Sequence, residues 1–303
     1  MSIPGRILIV GAAGQLGREL QRTFSGAGEL ICLDRNILEL ADENRVRETV
    51  RSLAPDVILN AAAYTAVDRA ESEPHVAAAI NTQAPRILAE EAQRRNALLI
   101  HYSTDYVFDG SKLGPWLETD QTNPLSVYGA TKLAGEDAVR EVGGRFLIFR
   151  TSWVYGPHGS NFLLTMLRLG RERDTLNIVD DQVGAPTTSL ELATATRTIV
   201  DGVCEVGFGS PERWAGIYHM TCAGSTSWCG FARQIFARGH ALLPGRSPEI
   251  HPIPSSQYPT PATRPKNSVL SNQKLASNFR VELSLWQNSL EEVLEQLKRA
   301  QIS

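Results

Sequence analysis

Three glycines close to residue 11 constrain the fold more than any other feature of the chain. Gly11, Gly14 and Gly17 have the spacing G-x-x-G-x-x-G. They follow the apolar run Ile7–Val10 directly and open a helical pattern over Gln15–Phe24. In such a strand-to-helix turn, backbone N–H groups can approach a pyrophosphate with no Cβ in the way, and the helix dipole favours the negative charge. The spacing therefore predicts a dinucleotide site at this turn.

The rest of the first half alternates strand and helix patterns, which predicts an α/β fold. The predicted strands are Ile7–Val10, Leu30–Leu33, Val57–Asn60, Leu98–His101 and Phe146–Phe149. The predicted helices are Gln15–Phe24, Glu43–Leu53, Pro74–Arg94 and Pro124–Val142. Repeated β-α units of this kind indicate a Rossmann-type, doubly wound parallel sheet, whose ligands bind at the carboxyl ends of the strands.

The pattern becomes irregular after about residue 155. Helical patterns cover Phe162–Arg171, Ser189–Val200, Ser227–Ala237 and Leu283–Ala300, and the segment His251–Pro265 is rich in proline. We expect residues 1–155, joined by parts of 176–220, to form the dinucleotide-binding domain. We expect residues 156–303 to form mainly a smaller C-terminal substrate-binding lobe.

Composition excludes several functional classes. The formal net charge is −3, which does not favour nucleic acid or an anionic membrane as a partner. No apolar stretch approaches the roughly 20 residues that a spanning helix needs, and the first apolar run is more typical of a strand than of a signal peptide. The four cysteines, Cys32, Cys204, Cys222 and Cys229, lack metal-binding spacing and suit a reducing compartment. We therefore expect a cytoplasmic protein.

Tyr128 and Lys132 are the predicted catalytic pair. Their i, i+4 spacing in a helical pattern places them on one face, one turn apart. A phenol with a pKa near 10 is a poor acid or base at neutral pH. A nearby ammonium, together with a positive nicotinamide ring, favours the phenolate and lowers that pKa. The spacing alone is common, and an exposed Tyr–Lys pair on a helix would show it too.

Hydroxyl groups follow the fourth predicted strand, where the sheet rule places the ligand. Thr104 is suited to donate to a substrate carbonyl that becomes an oxyanion, whereas His101, within the strand, is predicted to be a buried structural residue. The order of the glycine loop, Thr104 and the Tyr128/Lys132 pair agrees with a nicotinamide-dependent reductase. Asp34, at the end of the second strand, can accept from ribose hydroxyls and favours NADH, whereas Arg35 suits the extra phosphate of NADPH. Both cofactors remain open.

With these motifs, the chain resembles the dTDP-4-dehydrorhamnose reductases, a family of the extended short-chain dehydrogenase/reductase superfamily. The segments that carry the resemblance are Pro55–Ala63, Thr65–Asp68, Ala70–Pro74, His101–Phe108, Pro124–Glu136, Phe149–Tyr155, Asp181–Pro186 and Tyr258–Pro265. They are spread over nearly the whole chain. The glycine loop and Y-x-x-x-K are shared across the superfamily, whereas Y-S-T-D-Y-V-F and R-T-S-W-V-Y are more specific.

The resemblance implies a role for each matching residue. It places NADPH or NADH against Gly11, Gly14, Gln15, Leu16, Gly17, Asp34, Glu39, Leu40, Ala63, Tyr64, Thr65, Tyr102, Tyr128 and Lys132. It places a nucleotide-sugar substrate against Thr104, Asp105, Tyr106, Tyr128 and Trp153. Arg264 is a candidate for the diphosphate because a guanidinium matches paired phosphate oxygens, and a surface role is an equal alternative.

The resemblance also implies a reaction and an assembly. The expected reaction is reduction of dTDP-4-dehydro-6-deoxy-L-mannose to dTDP-L-rhamnose by a homodimer. Some relatives bridge a dimer through a metal held by glutamates, and Glu191 and Glu292 lie near suitable positions in this chain. The register around Glu191 differs from theirs, so we assign neither Mg²⁺ nor another metal. The alternatives are an epimerase or dehydratase of the same fold and a non-catalytic regulatory homologue. Dehydratases carry T-D-E where this chain has Thr104, Asp105 and Tyr106.

Overall fold

The computed structural model describes residues 5–205, 210–243, 245 and 247–302. The strands are β1 (Arg6–Val10), β2 (Glu29–Leu33), β3 (Val57–Asn60), β4 (Leu98–Thr104), β5 (Arg145–Thr151), β6 (Val154–Tyr155), β7 (Thr175–Val179), β8 (Val183–Gly184), β9 (Thr187–Thr188), β10 (Gly216–His219), β11 (Thr226–Ser227) and β12 (Glu249–Ile253). The α-helices are α1 (Gln15–Phe24), α2 (Glu43–Leu53), α3 (Val67–Ala70), α4 (Pro74–Ala78), α5 (Ala84–Arg95), α6 (Val127–Val142), α7 (Phe162–Glu172), α8 (Ser189–Glu205), α9 (Trp228–Arg238), α10 (Gln273–Phe279) and α11 (Trp286–Ile302).

The central sheet is parallel and has six strands in the order β10-β5-β4-β3-β1-β2. The chain passes from β1 outward to β2 and then returns to the other side of β1 as β3. The crossovers therefore change direction between β1 and β3, and the crevice at that point is where open α/β sheets bind ligands. This confirms the predicted Rossmann-type, doubly wound fold.

Both faces of the sheet are buried, which explains why its strands are apolar without alternation. Ile7 and Ile9 of β1 pack into a cluster that includes residues of α1 and α8. Leu8 and Val10 point to the opposite face and pack with residues of α2 and α5. A separate cluster joins α7, α9 and α11 and forms the core of the C-terminal part. No helix in the described part of the chain is long and apolar enough to cross a membrane.

The predicted helix Pro74–Arg94 is present as one helical run that ends at Arg95, but it contains a π-helical turn that the sequence did not predict. The chain forms α4, a π-helical turn over Ala79–Gln83, and then α5. Pro85 has no N–H to donate to the carbonyl of Asn81, and its ring would collide with that carbonyl in a regular helix. The wider turn directs the Asn81 carbonyl toward α6, where a Cβ on Gly135 would lie only 2.1 Å from the oxygen. A glycine at 135 therefore allows the two segments to touch.

Sequence patterns did not reveal the sixth strand of the sheet. β10 pairs in parallel with β5, so the C-terminal half of the chain contributes an edge to the sheet of the first half. The helix predicted from Pro124 begins only at Val127, because Ser126 caps it by accepting from the Gly129 N–H at 3.2 Å. Residues 1–4, 206–209, 244, 246 and 303, which the predicted domain ranges include, lie outside the described residues.

Candidate active site

A cavity of about 400 Å³ opens at the carboxyl ends of the strands around the crossover point. Most of the residues predicted to hold a dinucleotide line it. They are Gly11, Gly14, Gln15, Leu16, Asp34, Glu39, Leu40, Ala63, Thr65, Tyr102, Tyr128 and Lys132. Two predicted residues are not among its lining residues: Gly17 packs beneath the loop, and the Tyr64 hydroxyl donates to Glu73 at 2.6 Å.

The glycine loop has the geometry that a phosphate cradle requires. Gly11 has φ +82°, and a Cβ on it would lie 2.7 Å from the backbone of Ala62. A Cβ on Gly17 would lie 2.2 Å from the Gly11 carbonyl oxygen, so α1 could not pack as closely. Gly14 caps α1 and offers its first turn no side-chain acceptor. These N–H groups suit the phosphates of a dinucleotide, and the loop therefore fits NADPH or NADH.

The adenosine end of the cavity carries both signals that the sequence predicted. Asp34 and Arg35 line it together. The Asp34 carboxylate accepts from the backbone N–H groups of Asn36 at 2.9 Å and Ile37 at 3.3 Å, which holds the turn after β2. Arg35 is exposed. Asp34 could accept from a ribose hydroxyl of NADH, and Arg35 could bind the 2′-phosphate of NADPH, so the geometry suits either cofactor.

α6 places Lys132 inside the protein. Its side chain is 1% exposed, and Nζ donates to the Tyr102 carbonyl at 2.6 Å. Nζ also lies 3.4 Å from Nε2 of His101. Burial lowers the pKa of Lys132 to about 8, although Glu136, one turn further along α6, works in the opposite direction. A lysine that exchanges its proton near neutral pH is typical of a catalytic site.

Tyr128 lies one turn before Lys132 and lines the same cavity. Burial raises its pKa to about 12, the charge of Asp105 adds to that effect, and a hydrogen bond with Thr104 opposes it. The protein alone therefore keeps Tyr128 protonated, which is the form that can donate a proton. The predicted lowering of this pKa must then come from positive charge on a bound cofactor and on Lys132, against the effect of burial.

Thr104 is the last residue of β4, and its side chain lies beside Tyr128. Its hydroxyl bonds with Tyr128 and donates to Oδ1 of Asp105 at 3.1 Å. Asp105 is 2% exposed, and burial raises its pKa to about 6. Hydrogen bonds with Ser268 and Thr104 work against that rise. The structure thus brings Thr104, Tyr128 and Lys132 together beside a buried carboxyl group.

The other predicted substrate residues lie beside this cluster, outside the glycine-loop cavity. The Tyr106 ring meets the Tyr128 ring edge-on, with centroids 5.5 Å apart. Arg264 forms a hydrogen bond with Tyr106 and an ion pair with Asp68 at 2.8 Å, and this pair lowers the pKa of Asp68. Trp153, with φ +48°, stacks on Trp228 at a centroid distance of 3.5 Å.

Sequence patterns missed the buried polar groups that support these residues. Asn81, in the π-helical turn, accepts from the Tyr64 N–H at 2.8 Å and donates to Oγ1 of Thr131 at 3.2 Å, so it ties the loop after β3 to α6. Glu136 is fully buried and forms a double hydrogen bond with Arg150, the shorter at 2.6 Å. Pro85 inside a helical pattern was the available signal for the first group. The second depends on tertiary contacts and has no local signal.

Several known proteins resemble this chain over nearly its whole length. A dTDP-4-dehydrorhamnose reductase of Burkholderia thailandensis is 48% identical over 286 residues, covering 93% of this chain and 95% of the relative. The enzyme of the same name from Escherichia coli is 45% identical, covering 96% and 97%. The crystal structure of a Bacillus anthracis dTDP-4-dehydrorhamnose reductase in complex with NADP has a TM-score of 0.89 at 33% identity, covering 98% of this chain and 100% of that one.

The family match extends over almost the whole chain. The family described as RmlD substrate binding domain matches residues 5–299. This range includes the glycine loop, the Thr104–Tyr128–Lys132 cluster and the proline-rich segment. The resemblance inferred from the sequence motifs is confirmed: the chain belongs to the RmlD substrate binding domain family, whose close relatives are dTDP-4-dehydrorhamnose reductases.

Proposed function

We propose that this protein is an NAD(P)H-dependent reductase that converts dTDP-4-dehydro-6-deoxy-L-mannose to dTDP-L-rhamnose. The observation that carries the proposal is the Thr104–Tyr128–Lys132 cluster beside the glycine cradle. The proximity of the three residues at the carboxyl ends of the strands supports the proposal, and so do the names of the relatives, which are dTDP-4-dehydrorhamnose reductases.

The protein's own groups would act on the oxygen of the ketone. Bound NADPH or NADH supplies the hydride for the keto carbon. Tyr128, protonated in the free protein, donates its proton to the developing alkoxide and becomes a phenolate. The Thr104 hydroxyl, which donates to Asp105 in the free protein, would turn its hydrogen to the same oxygen when the substrate is bound. The Lys132 ammonium stabilises the phenolate and holds the nicotinamide ribose.

We assign the sugar nucleotide to the side of this cluster formed by Tyr106, Trp153 and Arg264. The half-buried Trp153–Trp228 stack offers an apolar surface, and Arg264 offers donors for the diphosphate. Asp105, the buried neighbour of Thr104 and Tyr106, belongs to the same side of the cluster. The predicted domain division stays part of this proposal: residues 1–155, joined by parts of 176–220, form the cofactor domain, and residues 156–303, which include Arg264 and Trp228, form mainly the substrate-binding lobe.

Two further assignments accompany the proposal. All four cysteines are free thiols in the structure, which suits a reducing cytoplasm. A homodimer is the commonest arrangement for soluble oligomers and the expected one for this family. Light scattering of the purified protein tests the second assignment, since the chain has a mass of 33.2 kDa and a dimer would give twice that value.

The decisive experiment follows oxidation of the cofactor by absorbance. The substrate is generated in situ from dTDP-glucose by the upstream dehydratase and epimerase, and NADPH and NADH are supplied in turn. We expect one equivalent of reduced cofactor to be consumed for each dTDP-L-rhamnose formed. An epimerase or dehydratase would recycle its cofactor and show no net oxidation. Cofactor binding without turnover of any sugar nucleotide would favour the regulatory alternative.

A further inference from the structure

His101 and Asn60 form a buried polar pair behind Lys132. They are direct neighbours in the register of β4 and β3, so their side chains lie on the same face of the sheet. Both are buried, with exposed fractions of 0% and 1%. Neither residue lines the cavity, and the proposed reaction does not use either one.

The two ring nitrogens of His101 both face hydrogen-bond donors. Nδ2 of Asn60 lies 3.0 Å from Nδ1, and Nζ of Lys132 lies 3.4 Å from Nε2. Burial and the charge of Lys132 both lower the pKa of His101, so the imidazole is neutral. A neutral imidazole has one hydrogen and one lone pair on its ring nitrogens, so it can accept from only one of these two donors.

The backbone decides which nitrogen accepts. Oδ1 of Asn60 accepts from the N–H of Ala62 at 3.3 Å, which directs the amide NH2 toward the imidazole. Nδ1 therefore accepts from Asn60, and the ring hydrogen is on Nε2, pointing at Nζ of Lys132. A neutral lysine amine can accept that hydrogen, whereas an ammonium has no lone pair and meets the positive end of the N–H dipole.

We propose that Asn60 and His101 are positioning residues that act through Lys132: Asn60 fixes the ring hydrogen of His101 on Nε2, and this N–H, facing Nζ, reduces the affinity of the lysine for a proton. The inference deepens the proposed reductase function, because the pair sets the pH range over which the site carries the lysine charge. That charge stabilises the phenolate which Tyr128 becomes on donating its proton. Activity should therefore fall as the pH rises through the Lys132 pKa.

The other ionisable groups near Lys132 lie on α6, on β5 and in the turn after β4. Tyr128 and Glu136 lie one turn away on either side along α6, and the charge of Glu136 is paired with that of Arg150 on β5. Asp105, in the turn after β4, faces Tyr128 and not the lysine. The neutral His101 is thus the group from the sheet that bears directly on Nζ, beside the Tyr102 carbonyl that accepts from it.

The first test determines by NMR which ring nitrogen of His101 carries the hydrogen, and it needs no substrate. In the ¹⁵N-labelled free protein, the ring shifts of His101 should show a protonated Nε2 and an unprotonated Nδ1. The chain has six histidines, and the signal that disappears in His101→Gln identifies the right one. A hydrogen on Nδ1, or on both nitrogens, would overturn the proposal even if the reductase activity is present.

The second test moves the ring hydrogen of His101 from Nε2 to Nδ1. In Asn60→Asp the carboxylate still accepts from Ala62 but needs the imidazole hydrogen on Nδ1, which turns the lone pair of Nε2 toward Lys132. We expect the midpoint of the alkaline loss of activity to rise by about one pH unit, a tenfold gain in proton affinity. Asn60→Ala removes the competing donor without adding charge, and should shift the midpoint upward by less.

Controls separate this effect from damage to the fold and from a wrong functional assignment. Asn278→Asp adds a carboxylate on α10, away from Lys132, and should leave the midpoint unchanged. The same midpoint can be read from the pH dependence of the His101 ring shifts in the free protein, so the inference survives failure of the proposed reaction. Unchanged midpoints in both folded Asn60 variants would refute it, and if Asn60→Asp does not fold, Asn60→Ala decides alone.

Discussion

Tyr128 is subject to two opposing influences that its neighbours exert at the scale of single atoms. Burial and the nearby Asp105 raise its pKa to about 12, whereas its hydrogen bond with Thr104 favours the phenolate. In the reducing direction the tyrosine must begin protonated, so the free protein already holds the form that donates. The difficulty lies in the product phenolate, which is why the Lys132 charge one turn away matters.

The variant Tyr128→Phe tests this role. It removes the proton donor and keeps the ring that packs against Tyr106, so the cavity should still bind the cofactor. Turnover should fall by roughly 10²–10⁴-fold, the usual contribution of a positioned acid. We expect cofactor oxidation to slow by that factor, whereas the dissociation constant for NADPH should stay unchanged. Retained turnover would show that another group supplies the proton.

Arg35 offers a second prediction at the same scale. It lines the cavity beside Asp34 and is exposed, so its guanidinium is available for a 2′-phosphate. Arg35→Ala should lower kcat/KM for NADPH by about tenfold, the effect of one lost charge-assisted hydrogen bond, and should leave NADH almost unaffected. Arg22→Ala is the matched control, because Arg22 pairs with Glu19 outside this cavity. Equal losses with both cofactors would remove Arg35 from the phosphate site.

Secondary-structure elements fix where these residues can be. α1 approaches the sheet closely only because Gly17 has no side chain, and the close approach brings to the cavity a helix N-terminus whose N–H groups have no side-chain cap. α6 is anchored at its start by the Ser126 cap and along its length by contact with the π-helical turn. Small residues and caps thus determine the positions of the phosphate cradle and of the catalytic pair.

Gly17→Ala tests the close approach of α1. The added methyl would meet the Gly11 carbonyl at 2.2 Å, and since both groups belong to the backbone the helix itself has to move. We expect a loss of about 1–3 kcal/mol in the free energy of unfolding together with weaker cofactor binding. Gly202→Ala, in α8 with open space around the new methyl, should instead stabilise by about 0.5–1 kcal/mol. Chemical denaturation and cofactor titration measure both variants, and a harmless Gly17→Ala would contradict the packing argument.

Local sequence patterns predicted the elements whose determinants are themselves local. The bounds of α1, α2 and β3 follow from apolar periodicity and turn residues, and the structure confirms all three. The i, i+4 spacing of Tyr128 and Lys132 is equally local. By contrast, β10 has only four residues and is defined by its pairing with β5, and the Asn60–His101 and Glu136–Arg150 pairs join residues on different elements. Such contacts exist only in the folded chain.

At the scale of the whole molecule, the C-terminal part both completes the cofactor sheet and carries its own core. β10 adds the edge strand beside β5, and α8 packs against α1 on one face of the sheet. The cluster of α7, α9 and α11 lies apart from the sheet clusters. The Trp153–Trp228 stack connects the two parts, because Trp153 lies two residues after the end of β5 and Trp228 begins α9.

Trp228→Ala tests whether this connection serves the substrate. Trp153 is held by Trp228 on one face, and a Cβ on Gly184 would lie 2.5 Å from its ring, so removal of Trp228 frees the indole to move. An aromatic pair contributes roughly 0.5–1.5 kcal/mol, which corresponds to a two- to tenfold rise in KM for the sugar nucleotide. The cofactor dissociation constant should stay the same because the glycine cavity does not include either ring. Trp228→Phe keeps an aromatic face and should retain most of the affinity for the sugar nucleotide. If Trp228→Ala weakened cofactor binding as much as substrate binding, the stack would support the whole fold and not the substrate side alone.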